Sequence, residues 1–126
     1  MPNEIQVTAS LQYTNAAANI AVKSLMVVAG LFGITGKVYS AGVLEVPTTA
    51  GGTPIPVTGL DGLGWAMFKN NDPEHYVDLL SAVNGALFAR LMPGEPAVFR
   101  FHPLVTAPAA LANIAPVPIE YLILEN

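Results

Sequence analysis

Four residues that could carry chemistry lie close together in the segment NNDPEHYVDLL, residues 70–80. They are Asp72, Glu74, His75 and Asp78. Carboxylate oxygens at such short spacing can bind Ca²⁺ or Mg²⁺, but the ligand spacing of a dedicated calcium loop is missing. Polar residues of this kind are also common in turns, where their side chains bond to the nearby backbone. We favour the turn interpretation and expect no metal-ligating residue.

A nucleophilic enzyme needs a general base held close to its nucleophile. The candidate bases are His75 and His102, and His102 ends the segment FRFH, where a histidine at the rim of a sheet is the simpler expectation. The chain contains no G-x-S-x-G, H-E-x-x-H or phosphate-binding glycine loop. The glycines of GLDGLG, residues 59–64, lack a following helix and a Lys-Ser/Thr pair. We therefore expect no catalytic or cofactor-binding residue, no cofactor and no enzymatic activity.

A set of aromatic side chains could instead form a platform on which sugar rings stack. The set comprises Trp65, Tyr76, Phe88, Phe99, Phe101 and Tyr121. We favour the core of a β-sandwich as their role, because Phe99 and Phe101 would share one face of a strand. Val98, Arg100 and His102 would share the other face. This alternation predicts a buried face and a rim face, and a carbohydrate-binding sandwich is kept as the alternative.

The chain must position these residues mainly with β-strands. Apolar and polar residues alternate between Ile5 and Tyr13, which is the period of a half-buried strand. Further short segments of strand character follow, each bounded by turn-forming residues: IAVKSLMVV, ITGKVYS, GVLEV, WAMFK, HYVDLL, ALFARLM, PAVFRFH and VPIEYLIL. This pattern predicts an all-β, antiparallel β-sandwich that is jelly-roll-like, with eight or so strands and at most short helical turns. A chain of 126 residues is expected to form one domain, residues 1–126.

The remaining segments favour loops over helices. Residues 47–64 are dense in glycine, proline and threonine and predict a long loop, with a possible short edge strand at Ile55–Val57. Asp72 could cap one helical turn, with Pro73 at the first helical position and Glu74 in the first turn. The alanine-rich segment Thr14–Met26 could also be helical. Strand and turn are favoured in both places, because eleven glycines and eleven prolines interrupt any long helix.

The segment RLMPGEPAVFRF contains a turn signal between two apolar segments. Met92-Pro93-Gly94-Glu95 fits a type II turn, because proline presets φ at the second position and glycine accepts a positive φ at the third. The flanking segments, residues 86–91 and 97–101, are strand-like. The sequence therefore predicts a hairpin-like corner, with Glu95 as a solvated turn residue.

The low charge content indicates contact with other proteins. Charged residues make up 11% of the chain and apolar residues 52%, whereas about 25% charged is ordinary. A domain with so few charges either exposes apolar contact surface or has an uncharged surface rich in Gly, Ala and Pro, and we favour the contact surface.

The longest apolar run, Leu25–Ile34, is shorter than the ~20 residues of a membrane span. We expect no membrane partner and, because Met1–Gln6 lacks a basic cluster, no signal peptide.

The basic residues are scattered along the chain. They are Lys23, Lys37, Lys69, Arg90 and Arg100, and the formal net charge is −4. Binding to nucleic acid requires a clustered positive surface. Nucleic acid is therefore not an expected partner.

The second half of the chain contains three segments in a definite order, GWAMFKNNDPEHYVDLL, LFARLMPGEPAVFRF and VPIEYLILEN. Taken in that order, they make Gly64 to Asn126 resemble small structural proteins of tailed bacteriophages. The matching positions are Phe68, Lys69, Asn70, Asp72, Val77, Phe88, Leu91, Pro93, Gly94, Glu95, Phe99, Arg100, Glu120, Tyr121, Leu122 and Ile123. The chain departs from the pattern in Pro-Glu-His after Asp72 and in the proline-rich APAALANIAPVP.

The resemblance implies a non-enzymatic virion protein of β-sandwich or jelly-roll type, without catalytic residues. The expected function is a decoration or cement protein that binds the outside of the head shell and stabilises it. Its partners would be the major capsid protein of the same phage and further copies of itself, as a homo-oligomer and most simply a trimer. It would be assembled in the host cytoplasm and reside on the capsid exterior. A tail or fibre-associated adhesion module is the alternative.

Overall fold

The computed structural model describes residues 3–9, 13–15, 20–22, 28–34 and 39–126. Contacts divide the chain into two compact units, Met1–Ile34 and Thr35–Asn126, which we describe separately. All regular secondary structure in the described residues is β-strand, and every strand pair is antiparallel. The predicted all-β class is therefore confirmed. The single domain expected over residues 1–126 stays a prediction.

The first unit contains two strand pairs. Strand β1 (Asn3–Ala9) pairs with β4 (Val28–Ile34), and β2 (Tyr13–Asn15) pairs with β3 (Ile20–Val22). The predicted N-terminal strand is confirmed over β1. Strand also replaces the helical alternative for Thr14–Met26 wherever that segment is described; its residues 16–19 and 23–26 lie outside the described residues.

The second unit contains two four-stranded sheets. Sheet I has the spatial order β10 (Pro96–Arg100), β7 (Leu63–Asn70), β12 (Val117–Glu125) and β5 (Tyr39–Val46). Sheet II has the order β6 (Thr53–Pro54), β11 (Ala109–Ala112), β8 (Val77–Leu80) and β9 (Leu87–Leu91). The inner faces of the two sheets share one hydrophobic core, which makes this unit an antiparallel β-sandwich as predicted. The jelly-roll-like order of connections stays a prediction.

The core draws on alternate residues of the strands in both sheets. Phe68, Ile119 and Ile123 come from sheet I, and Val77 and Leu79 come from sheet II. All five are fully or almost fully buried. Burying a side chain of this size contributes about 1.5–3 kcal/mol, so the residues at these alternate positions stabilise the packing of the two sheets.

Two details of the predicted strands differ from the structure. Strand β11 runs through the segment APAALANIAPVP, for which the sequence pattern predicts no strand, and it lies inside sheet II between β6 and β8. Edge strand β6 ends at Pro54, just before the predicted edge strand Ile55–Val57. Ile55 donates its amide to Pro108 and is buried, but Pro56 has no amide hydrogen and cannot continue the ladder.

Candidate interaction surface

The outer face of sheet I carries a continuous apolar row. Register pairs Val98 with Met67, Met67 with Leu122, and Leu122 with Ala41, so the row crosses all four strands. Val98 and Met67 are 42% and 44% exposed, while both sequence neighbours of Met67 are buried inward. We call these four residues the central row. Its exposure identifies this sheet face as a candidate contact surface.

Two further rows border the central row. On one side Lys69 pairs with Glu120, and these two charges lie between Pro96 and Val43. We call this the charged row. On the other side Arg100 pairs with Trp65, and Leu124 pairs with Tyr39. The face is thus apolar at its centre, with one adjacent pair of opposite charges on its two inner strands.

The outer face of sheet II carries an ion pair between Arg90 and Asp78. Arg90 donates to Asp78 through Nε at 2.7 Å and through a terminal nitrogen at 3.1 Å, and its guanidinium lies 3.8 Å from the centre of the Tyr76 ring. The hydrogen bonds to Asp78 raise the pKa of Arg90 above its ordinary value. Because Asp78 is buried and bonded through both carboxylate oxygens, this cross-strand pair between β8 and β9 holds the sheet together and is not a ligand site.

The acidic residues that lie close together in the sequence make different contacts. Asp78 pairs with Arg90, whereas Asp72 bonds to the backbone of its own turn. Asp72 Oδ1 accepts hydrogen bonds from the amides of Glu74 and His75, both at 2.7 Å, and lies 3.2 Å from Nδ1 of His75. These bonds, the Glu74 amide first, lower the pKa of Asp72. The same bonds would cap a helix, but no helical turn forms here: residues 73–74 form a bend and β8 begins at Val77. In the part of the chain that the structure describes, no three acidic, histidine or cysteine side chains gather around a common point.

The corner at Pro93 and Gly94 has the predicted turn geometry. Gly94 has φ of +79°, and Glu95 donates its amide to the Met92 carbonyl at 3.0 Å. Glu95 is exposed, as predicted for a solvated turn residue, and its carboxylate also accepts the Met92 amide, which closes the turn. The flanking strands β9 and β10 belong to different sheets, so the turn is a corner between sheets and not a hairpin.

Buried Asn70 links this corner to the Asp72 turn. Its side-chain nitrogen donates to the carbonyls of His75 and Leu91 at 2.8 and 3.0 Å, and its side-chain oxygen accepts the Asp72 amide. An open cleft of about 300 Å³ lies beside it, lined by Lys69, Asn70, Asn71, Asp72, Pro73, Pro93 and Gly94. Since the polar atoms of Asn70 are bonded to the backbone, we assign no ligand to this cleft.

The aromatic side chains form a cluster in the interior and at its margin. Phe99 stacks on Phe68 at 5.7 Å between ring centres and meets Phe101 edge-on at 5.0 Å. Phe88 closes the cluster from sheet II and remains 46% exposed. Phe101 and Tyr121 are buried, so the predicted core role is confirmed for these two residues. Trp65, Tyr76 and Phe99 are half-buried, and the carbohydrate-binding alternative stays a prediction.

Two loop tips expose single large apolar residues at opposite ends of the sandwich. Leu104 is 84% exposed, in the turn that follows β10 near the start of β7. Ile114 is 74% exposed, in the loop before β12 and near the end of β7. The Leu104 amide bonds to the ring of His102, and the Val105 amide bonds to the His102 carbonyl, so this tip is held by two hydrogen bonds.

The sequence pattern identifies the exposed side of β10 but not the surface to which it belongs. It assigns Val98 and Arg100 to a rim face, whereas Met67, Tyr39 and Val43 receive no role. One signal was available: Tyr121 to Leu124 is apolar at every position, although a strand buried on one side should alternate. Apolar residues on both faces of a strand indicate a second contact beyond the core.

No protein-family model, curated protein or solved structure matches this chain. In the described residues no helix has the length and apolar character needed to span a membrane.

Proposed function

We propose that this protein is a non-enzymatic structural protein of a tailed-phage virion that binds the outside of the head shell and stabilises it. The observation that carries the proposal is the pair of apolar loop tips, Leu104 and Ile114, at opposite ends of one sandwich. A cement protein needs two separated contacts, because it must touch more than one shell subunit. Strand β7, with eight residues, separates the two ends by about 23 Å.

The charge content supports the same role. Lys and Arg number five and Asp and Glu nine in 126 residues, so a large contact leaves few charges unpaired and buried. Specific protein interfaces bury about 1,200–2,000 Å². Low charge, a fixed shape and exposed apolar side chains are the properties that such a contact requires.

Stabilisation follows from linkage. A shell under internal pressure is strained at the seams between its capsomers, and a ligand that binds the assembled shell but not the free subunits shifts the equilibrium toward assembly. The major capsid protein of the same phage is the proposed partner, and the capsid exterior the proposed location. The protein would act as a homo-oligomer, for which the resemblance implies a trimer.

The test is to add purified protein to empty shells that lack it and to heat them. We expect binding to the shells and a higher temperature of shell disruption. Isolated tails from the same phage serve as the control. If the shells neither bind the protein nor gain stability while the tails do bind it, the head assignment is wrong and the tail or fibre alternative replaces it.

A further inference from the structure

The outer face of sheet I has a charge arrangement that complements itself. Lys69 lies on β7 and Glu120 on β12, the two inner strands, at the same level across the sheet. A two-fold axis parallel to the strands and midway between them brings β7 of one copy over β12 of another. Each Lys69 then faces the Glu120 of the other copy, and this happens twice in the contact.

We propose that a second copy of this chain binds this face through such a two-fold contact. The same axis brings Met67 over Leu122 of the other copy, and Val98 over Ala41, so the two central rows cover each other. Sheets that pack face to face keep their strands within about 30° of each other, which this arrangement satisfies. An axis across the strands, centred on the central row, would set Lys69 against Trp65 and leave its charge unpaired.

The area available fits a reversible dimer. Four strands about 4.8 Å apart and about seven residues long cover a flat area of about 450 Å². Two such faces bury on the order of 900 Å² before side-chain relief is counted, which is below the about 1,200 Å² of stable interfaces and in the range of weak, transient contacts. We therefore expect a dissociation constant in the micromolar range, about 1–100 µM. Combined with a three-fold contact, the same two-fold contact would give a hexamer.

This inference does not depend on the proposed role on a phage shell, because it concerns a different surface from Leu104 and Ile114. The apolar part is tested with Met67→Glu in the full chain, by sedimentation over a range of protein concentrations. We expect this variant to lose the concentration-dependent dimer of twice 13.2 kDa. Leu104→Glu is the matched control, since it introduces the same charge at an exposed leucine off the face and should leave the dimer intact.

The charged row is tested by reversal. Lys69→Glu and Glu120→Lys each place like charges opposite each other at two points, which should weaken self-association on the order of 100-fold. In the Lys69→Glu variant both charges of the charged row are negative, and in the Glu120→Lys variant both are positive. The two variants are then mixed in equal amounts. Opposite charges then face each other at both points, so the mixture should form a heterodimer. Circular dichroism of each variant verifies that the sandwich still folds.

Three results would overturn the proposal. The first is a wild-type chain that stays monomeric at high micromolar concentration. The second is a Met67→Glu variant that associates as strongly as wild type. The third is a mixture of charge-reversed variants that associates no better than either variant alone, which would exclude an axis parallel to the strands.

Discussion

At the scale of single residues, buried Asn70 makes three side-chain hydrogen bonds to the backbone. Its side chain satisfies two carbonyls and one amide at the junction of the Asp72 turn and the Pro93 corner. Asn70→Ala leaves these backbone groups without partners, and a buried unsatisfied group costs about 1–3 kcal/mol. We expect the free energy of unfolding to fall by about 3 kcal/mol in urea titrations.

The neighbouring residue provides the control for this prediction. Asn71 is exposed, and the bond that it makes to the Pro118 carbonyl comes from its backbone amide. Asn71→Ala should change stability by less than about 0.5 kcal/mol. Equal losses in the two variants would show that Asn70 does not hold the corner.

A second prediction at this scale concerns pH. The pKa of Asp72 lies below its ordinary value of 3.8, chiefly because the amides of Glu74 and His75 bond to the carboxylate. A lowered folded-state pKa gives stability that is present above the unfolded pKa and lost as pH falls through the folded pKa. The wild-type free energy of unfolding should therefore fall as pH drops below about 3.8.

Asp72→Asn isolates this contribution. Its side-chain carbonyl can still accept both amides, but it does not titrate. Between about pH 5 and about pH 2, the wild type should lose stability more steeply than this variant, measured by thermal melts at each pH. Parallel pH profiles would mean that the carboxylate contributes nothing to the fold through this turn.

At the scale of elements, the aromatic cluster packs sheet I against sheet II. Phe68 is fully buried in β7, whereas Phe88 is 46% exposed at a register shift between β8 and β9. Phe68→Ala should cost about 3–5 kcal/mol, because it opens a cavity that the sandwich cannot close. Phe88→Ala should cost about 1 kcal/mol, since its ring loses fewer contacts.

Chemical denaturation of both variants measures this difference. The ratio of the two losses matters more than either value, since it reports which ring lies inside. Similar losses would contradict the position of Phe68 at the centre of the core.

The strands of sheet I were predictable from sequence because each alternates or is bounded by Gly, Pro or Asn. Strand β11 was not, because alanine has low β propensity and the run Ala109-Ala110-Leu111-Ala112 has no period of two. It forms because β8 pairs with it over four residues and β6 over two. That pairing joins distant strands and is absent from the local pattern.

The corner at Pro93 and the outer face of sheet I also depend on strand pairing, which the local sequence pattern does not predict. The turn at Pro93 and Gly94 was predictable because the φ values are set locally by those two residues. Its position between two sheets was not, since β9 and β10 are adjacent in sequence yet pair with other strands. The central row likewise exists only once register brings Val98, Met67 and Leu122 side by side.

At the scale of the whole molecule, the second unit combines a self-complementary sheet face with two apolar tips at its ends. The two features can serve different partners, because Leu104 and Ile114 do not lie on the outer face of sheet I. A copy bound through the central row would leave both tips available. The proposed shell contact and the proposed dimer are therefore separable by mutation.

The last prediction separates binding from stabilisation of the shell. A module that touches two shell subunits binds the intact seam more tightly than a dissociated subunit, and that difference in affinity stabilises the assembly. Leu104→Glu or Ile114→Glu removes one of the two contacts. Each variant should then bind shells and free subunits about equally, so that it occupies the shell at high concentration without raising its disruption temperature.

The measurement pairs sedimentation of bound protein with the melting temperature of shells at matched occupancy, taken for wild type and both variants. Met67→Glu serves as the control, because it alters the sheet face and leaves both tips in place. If either tip variant stabilises the shell as well as wild type does at equal occupancy, bridging between these tips is not the mechanism. Loss of stabilisation in both tip variants, with binding retained, is the outcome that bridging requires.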